Sequence, residues 1–355
     1  MTSTRRRRPT LDDVAEAVGV SRATVSNAYN RPDQLSAQLR EQVLLAAKNL
    51  GYPGPNPTAR SLATSRTGAI AFLLDSSLSA AFSDPALSVT LDALAKAVDP
   101  AGHALLLLPG TEAQGGPPAE RVLAAQADIA VAYSLADGTP ALEPVHDRGL
   151  PLVVIDQPLL PATARVGCDD RGGAALAARH LLELGHRRFG VLSAPRLSSA
   201  GPSGLESARA SSFRGTRERL AGYLETLAEA GVTDVAVSEA PWLSADNAAA
   251  SAASLLRGSP RPTALLCMSD QLALAAVAAA RQLGLRVPED VSVVGFDDIP
   301  QAAWADPPLT TVRQDLAGKG RIAGELVLHL LDGGTPPPPV QLPVSLIRRD
   351  STAAV

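Results

Sequence analysis

GVSRATVSNAYNRP, residues 19–32, sets a glycine, a serine and then a run of Arg, Thr, Ser and Asn near the start of a 355-residue chain. Gly19 permits a turn that a side chain would strain. Ser21 offers an N-cap hydroxyl, so a helix is expected to begin just after it. Arg31-Pro32 should end that helix, because the residue before a proline is pushed out of the helical region. Val25, Ala28 and Tyr29 fall on one helical face. Ser21, Arg22, Ala23, Thr24, Ser26 and Asn27 are left to meet something polar and patterned.

The flanking residues build the rest of a small helical unit. Thr10 can cap a preceding helix, with Asp13 in a capping-box position, and Leu11, Val14, Ala15 and Val18 share a face. Ser36 caps a third helix, on which Leu39, Val43, Ala46, Ala47 and Leu50 should point inward before Gly51 stops it. Two short helices about a glycine turn form a helix-turn-helix, whose second helix presents its first residues to base edges in the major groove. Arg22 can fork onto guanine, Asn27 can reach a base edge or a phosphate, and Ala23 and the Thr24 methyl suit a thymine methyl. Ser21 and Ser26 suit phosphates, and Thr10 is placed on the same DNA-binding face. The alternative for this segment is a three-helix bundle with a merely polar surface.

Charge supports the first reading. The net charge is −4, but residues 1–66 hold ten Lys/Arg against five Asp/Glu, a net of +5, which leaves −9 on the remainder. A basic head on an acidic body is the asymmetry expected when one part meets phosphate. NPTARSLA, residues 56–63, then reads as a very short helix, with Asn56 as N-cap and Pro57 at its first position. So short a helix forms only against a partner. Leu62 with Arg60 beside it has the make-up of a wedge that kinks DNA from the minor groove.

TLDDVAEAVGVSRATVSNAYN, LREQVLLAAKNLGY and NPTARSL, in that order, resemble the lactose-repressor (LacI/GalR-type) family of bacterial transcription regulators. The resemblance covers nearly the whole chain. It implies a homodimer whose headpieces, residues 1–66 with the hinge at 56–63, read two half-sites of a double-stranded DNA operator. Paired hinge helices would insert Leu62 at the central base step. Two features depart from the family: the connector YPGPNP is one residue longer than usual, and Arg5 to Arg8 form an extra basic tail, either in contact with DNA or simply solvated.

Beyond residue 67, apolar runs alternate with amphipathic stretches. The runs are AIAFLL (69–74), ALLLLP (104–109), DIAVAY (128–133), PLVVID (151–156), RFGVL (188–192), TALLCM (263–268) and VSVVGF (291–296). Helical stretches at 170–184 and 270–283 are examples of what separates them. Strands that are apolar throughout belong to parallel sheets covered on both faces, and seven are too many for one small sheet. Two doubly wound lobes follow, with a ligand at the carboxyl ends of the strands. The resemblance implies an α/β, periplasmic-binding-protein-like domain over 67–355. Lobe 1 is placed at about 67–165 and 313–331, lobe 2 at about 166–309 and 340–349. About three crossings between lobes suit a hinge, and PPPP (336–339) a stiff connector.

Strand-end polar residues are candidates for holding a small polar effector: Asp75, Asp156, Ser269, Asp270, Asp297 and Asp298. The resemblance selects among them. RLAGY (219–223) implies Arg219 in the cleft, MSDQLALAA implies Ser269, and VVGFDD makes Asp297 the cleft acid with Asp298 structural. It also implies Trp242 as a stacking aromatic, Gln314 at the lobe interface and Phe82 on the first lobe. A sugar or sugar derivative is the ligand class implied. The Ser/Gly/Ala-rich stretch 193–212 is an insertion or a lid.

Other classes find little support. The five histidines (103, 146, 180, 186, 329) have no metal-ligand spacing, and neither a G-x-S-x-G nor a phosphate-binding glycine loop occurs; neither catalysis nor a cofactor is expected. Cys168 and Cys267 read as buried free thiols of a reducing compartment. No apolar run is long enough for a membrane span, and PTLDDVAEAVG after the four arginines is no signal-peptide core. A cytoplasmic, nucleoid-associated protein is expected. No heptads follow residue 350, so a dimer is the expected assembly. The competing readings, a solute-binding transport protein and an enzyme on a doubly wound fold, leave the basic head unexplained.

Overall fold

A computed structural model describes residues 8–55, 66–111, 114–194, 204–240 and 245–355. The chain divides into two compact units, Met1–Thr67 and Gly68–Val355.

The first unit holds α1 (Leu11–Val18), α2 (Arg22–Asn30) and α3 (Ala37–Leu50). Thr10 and Asp13 close a capping box: the Thr10 amide donates to Asp13 Oδ2 at 2.6 Å and the Asp13 amide to Thr10 Oγ1 at 3.4 Å. Ser21 and Ser36 cap α2 and α3 through the Thr24 and Leu39 amides. Gly19 and Gly51 sit at φ 69° and 72°, the left-handed region that ends a helix. Val14, Ala15, Val25, Ala28, Val43 and Ala47 form the core, with Tyr29 and Tyr52 packed edge to face at its rim. Leu50, expected inside, is 40% exposed. It is the last residue of α3, and the reversal at Gly51 brings Tyr52 onto the core instead.

The second unit runs β1 (Ala69–Leu74), α4 (Leu78–Phe82), α5 (Pro85–Val98), β2 (Ala104–Leu108), α6 (Ala119–Ala124), β3 (Ile129–Tyr133), α7 (Glu143–Asp147), β4 (Leu152–Ile155) and β5 (Ala164–Cys168). It continues through α8 (Asp170–Glu183), β6 (Phe189–Ser193), α9 (Leu205–Arg209), α10 (Arg214–Glu229), β7 (Val235–Glu239), α11 (Ala245–Leu256), β8 (Ala264–Cys267), α12 (Asp270–Gln282) and β9 (Ser292–Asp297). Last come α13 (Pro300–Trp304), β10 (Thr310–Gln314), α14 (Leu316–Leu331), β11 (Val340–Leu342) and β12 (Val344–Ile347).

Two six-stranded sheets result, in orders β11-β5-β4-β3-β1-β2 and β12-β10-β9-β8-β6-β7. Each is parallel apart from β12, which pairs antiparallel with β10. Alternation along β1 explains the layering. Ile70, Phe72 and Leu74 meet Leu94 and Val327 on one face, while Ala71 and Leu73 meet Val122 and Val145 on the other. Close helix contacts rest on glycine. A Cβ on Gly320 of α14 would lie 2.1 Å from the Thr90 carbonyl of α5, and one on Gly222 of α10 would lie 2.2 Å from the Arg171 carbonyl of α8.

The chain passes between the sheets at 168–170, 314–316 and 342–344. The first two passages use one device: Asp169 and Asp315 cap the next helix through the Gly172 and Gly318 amides, at 2.9 and 2.8 Å. The third corrects the expected second-lobe strand over 340–349. Val340–Leu342 pairs with β5 in the first sheet, and Val344–Ile347 with β10 in the second. Pro343 divides them, since it has no amide to donate to a ladder. The first sheet extends to Cys168 rather than 165, and Arg313 and Gln314 belong to the second sheet, not with the helix that returns to lobe 1.

Candidate functional site

On the first unit, Ser21, Arg22 and Ala23 are exposed at the start of α2, and Thr10, Thr24, Ser26 and Asn27 are half-buried. Arg22 reaches outward with Nε 3.7 Å from Asp12 Oδ1, an exposed pair that holds the side chain only weakly. Ser21 Oγ and Thr24 Oγ1 share a hydrogen bond of 2.8 Å, and the Asn27 amide donates to Gln34 Oε1 at 3.3 Å. The surface therefore displays an exposed guanidinium fork, small methyls and hydroxyls on a helix whose other face is core. That is the chemistry of base-edge and phosphate contact. Arg60 and Leu62 lie outside the described residues, as do Arg5 to Arg7.

On the second unit, the carboxyl ends of both sheets face one cavity of about 230 Å³. Asp75, Asp156, Arg219, Ser269, Asp297 and Gln314 all line it, drawn from five strand ends and one helix. Three lining residues, Ser134, Asp156 and Asp297, hold positive φ of 47°, 64° and 122°, and backbone held in such conformations clusters at functional sites. Phe82 is not among them; it is 68% exposed. α4 is a single turn capped by Ser77, and it presents Ala80 and Ser83 to the cavity, which leaves Phe82 pointing away. Trp242 lies outside the described residues.

Arg219 organises the second-lobe wall. Its Nε donates to Asp170 Oδ1 at 2.8 Å, its Nη1 donates to the Met268 carbonyl and stands 3.6 Å from Asp297 Oδ1, and its guanidinium lies 3.7 Å over the Phe296 ring. Burial alone would lower its pKa, but Asp170 and Asp297 more than offset that and hold it charged. Burial pushes Asp297 up to about 7 against the opposing pull of Arg219. Asp298 faces elsewhere, held by Arg313 at 2.6 Å and Arg349 at 2.7 Å. Ser269 caps α12 through the Leu272 amide.

A polar chain joins the lobes beneath the cavity. Gln314 donates to Asp297 Oδ1 at 2.6 Å and accepts from Lys319, which also pairs with Asp156. Cys168, buried like Cys267, donates to Gln314 Oε1 at 3.3 Å. Lys319 was not foreseen; it is 1% exposed, on the buried face of α14. Asp84, Asp170, Gln271 and Tyr133 were also missed as lining residues. Of these, Gln271 donates to Asp84 across the lobes at 3.2 Å and Asp170 anchors Arg219. Further cross-lobe contacts join Arg217 to Asp137 at 2.7 Å and the Gly215 amide to Gln157 Oε1 at 2.7 Å. Among the described residues, no helix is long and apolar enough to cross a membrane.

Comparison with known proteins agrees with this division. Residues 10–56 match the model for bacterial regulatory proteins of the lacI family, and residues 178–352 match a periplasmic binding protein-like domain. An HTH-type transcriptional regulator of Mycolicibacterium smegmatis is 41% identical over 346 residues, 93% of each chain. The lac repressor dimer bound to operator and the anti-inducer ONPF is 30% identical, with a TM-score of 0.79 over 98% of this chain and all of that one. A complex of the transcriptional regulator CelR with cellobiose is 31% identical, with a TM-score of 0.69 over 97% of this chain and all of that one. The relatives are regulators and not enzymes. With a helix-turn-helix that carries a polar surface and a two-lobed body that closes on a cavity, this chain belongs to the lacI family of bacterial DNA-binding transcription regulators.

Proposed function

We propose that the protein is a repressor that binds a pseudo-palindromic operator as a homodimer and releases it when a small polar effector, a sugar or sugar derivative, occupies the inter-lobe cleft. The observation that carries this reading is the convergence of Asp156, Arg219, Asp297 and Gln314, from both lobes, on one cavity beside the chain crossings. A ligand bridging the lobes there has different contacts in open and closed arrangements, which is what shifts an equilibrium between them. The lac repressor and CelR structures, in which ligands are bound, support the assignment. Arg22 and its neighbours read each half-site, and the two basic heads supply the phosphate term.

In vitro selection from random duplexes should yield a near-palindromic site, bound with a steep salt slope by the full chain. Asp297→Ala should keep operator affinity while losing the effector response in an anisotropy titration. Loss of operator affinity as well would make Asp297 a structural residue and overturn its assignment to the effector.

A further inference from the structure

We propose that the cleft selects an uncharged polyhydroxylated ligand and excludes the phosphate monoester or carboxylic acid of the same compound. This rests on reading the cleft as the effector site. Five carboxyl groups line it: Asp75, Asp84, Asp156, Asp170 and Asp297. Among the described residues the one lining cation, Arg219, is already committed to Asp170, Asp297 and the Met268 carbonyl. Lys319, buried below, is committed to Asp156 and Gln314. Asp75 and Asp84 have no ion pair among the described residues, so the formal balance of these seven groups is −3.

Helix N-termini, the usual anion receptors of such folds, are also taken. Asp84 caps α5 through the Ala86 amide, Ser269 caps α12, and Ser77 caps α4. Asp169 caps α8. α10 lacks a side-chain cap of its own, but Gln157 Oε1 accepts from its Gly215 amide. Among the described residues the cleft therefore holds a surplus of carboxylate acceptors and no uncommitted cation. A ligand suited to it brings hydroxyl donors. An anion would meet like charge in a partly dehydrated space, where repulsion is weakly screened.

Burial pushes Asp75 up to about 7, helped by the neighbouring Asp84, while Ser76 opposes. The Tyr133 hydroxyl is held protonated by burial and by Asp84, Asp156, Asp297 and Asp75. A protonated Asp75 no longer repels an anion, so discrimination against anions should sharpen as the pH rises through about 7, with Tyr133 a neutral donor to the guest.

The test is thermal shift on the full chain at pH 7.5 with matched pairs: glucose and glucose 6-phosphate, ribose and ribose 5-phosphate, fructose and fructose 6-phosphate, and cellobiose with its 6-phosphate. At least one neutral member should raise Tm by several degrees at millimolar concentration while its phosphate leaves Tm unchanged. Asp75→Asn should narrow that discrimination, measured as the ratio of Kd values for the pair, by about tenfold. A phosphate that matches or exceeds its neutral partner, with its shift abolished by Asp297→Ala, would overturn the charge rule and leave the cleft as the effector site. A discrimination ratio unmoved by Asp75→Asn would also overturn it. No shift from any member would count against the polyol reading and the effector reading together.

Discussion

At the scale of single residues, the helix caps were legible because their signals are local. Thr10 with Asp13, Ser21, Ser36 and the two left-handed glycines lie within a few residues of the amides they serve. The cleft was legible only in part. Asp75, Asp156 and Asp297 end apolar strands, a position readable from sequence, whereas Asp84 and Asp170 reach the cavity from helix starts. Phe82 was misplaced because aromatic character says nothing about which side of one helical turn faces inward. Arg22→Ala should lose discrimination at one base pair, costing about 1–3 kcal/mol in competition binding. An equal loss on every sequence would make Arg22 a phosphate contact. A second prediction concerns His186, whose Nδ1 shares a hydrogen bond with Thr263 Oγ1 and whose Nε2 contacts Ser292 Oγ and the Ala353 carbonyl. Burial lowers its pKa, only partly opposed by the Ala353 carbonyl. The unfolded chain then takes up a proton below about pH 6.5 that the folded chain resists. The stability contributed by neutral His186 is complete above that pH and is lost as pH falls through the folded pKa. Urea midpoints at pH 7.5 and 5.5 should show a larger fall for the native protein than for His186→Gln.

At the scale of elements, the seven apolar runs all became strands, β1 to β4, β6, β8 and β9; all but the edge strand β2 are mostly buried. The strands that escaped notice carry mixed sequences. β5 contains Arg165, β10 is TTVRQ, and β7 is an edge strand whose residues are mostly half-exposed. Their membership is decided by neighbours distant in sequence, which periodicity does not report. Helix contacts follow the same rule, since nothing in GKGRIAGE announces that α14 lies against α5. Gly320→Ala should force that pair apart and destabilise the fold by about 1–3 kcal/mol, seen as a lower thermal midpoint. Gly333→Ala, at φ 86° with no atom within 4 Å of its Cβ position, is the control for strain without crowding.

For the molecule as a whole, the lobes meet through polar pairs, Asp84 with Gln271, Asp137 with Arg217, Gln157 with Gly215 and the Asp297–Gln314–Lys319–Asp156 chain, and through Ala86 and Val89 of α5, which pack against the second lobe's core. An interface of that kind opens and closes at modest cost, as a ligand-gated hinge requires. Two-lobed architecture was readable from the count of strands and from the resemblance. The division of the last strands was not, because Pro343 is the sole mark of a change of sheet. Binding linkage supplies a further prediction. Whatever factor the effector removes from operator affinity, operator DNA must remove from effector affinity. Effector titrations with and without saturating operator should return that same factor, and unequal factors would show that the two ligands do not act on one equilibrium.

The order of strands in the sheets also bears on how the protein is made. The first sheet is completed by β11 and the second by β10 and β12, all from the last part of the chain, and Ser351 then ties Val293 and Thr310 together at 2.6 and 2.8 Å. Neither lobe can assemble fully until residues 310–351 have been made. The helix-turn-helix unit, by contrast, draws its core from residues 11–52. During synthesis the part that reads DNA is ready well before the part that controls it. A nascent chain stalled midway would therefore carry a basic reading head with no ligand control, and rapid completion or removal of such chains matters more here than for a protein whose regulatory half is made first.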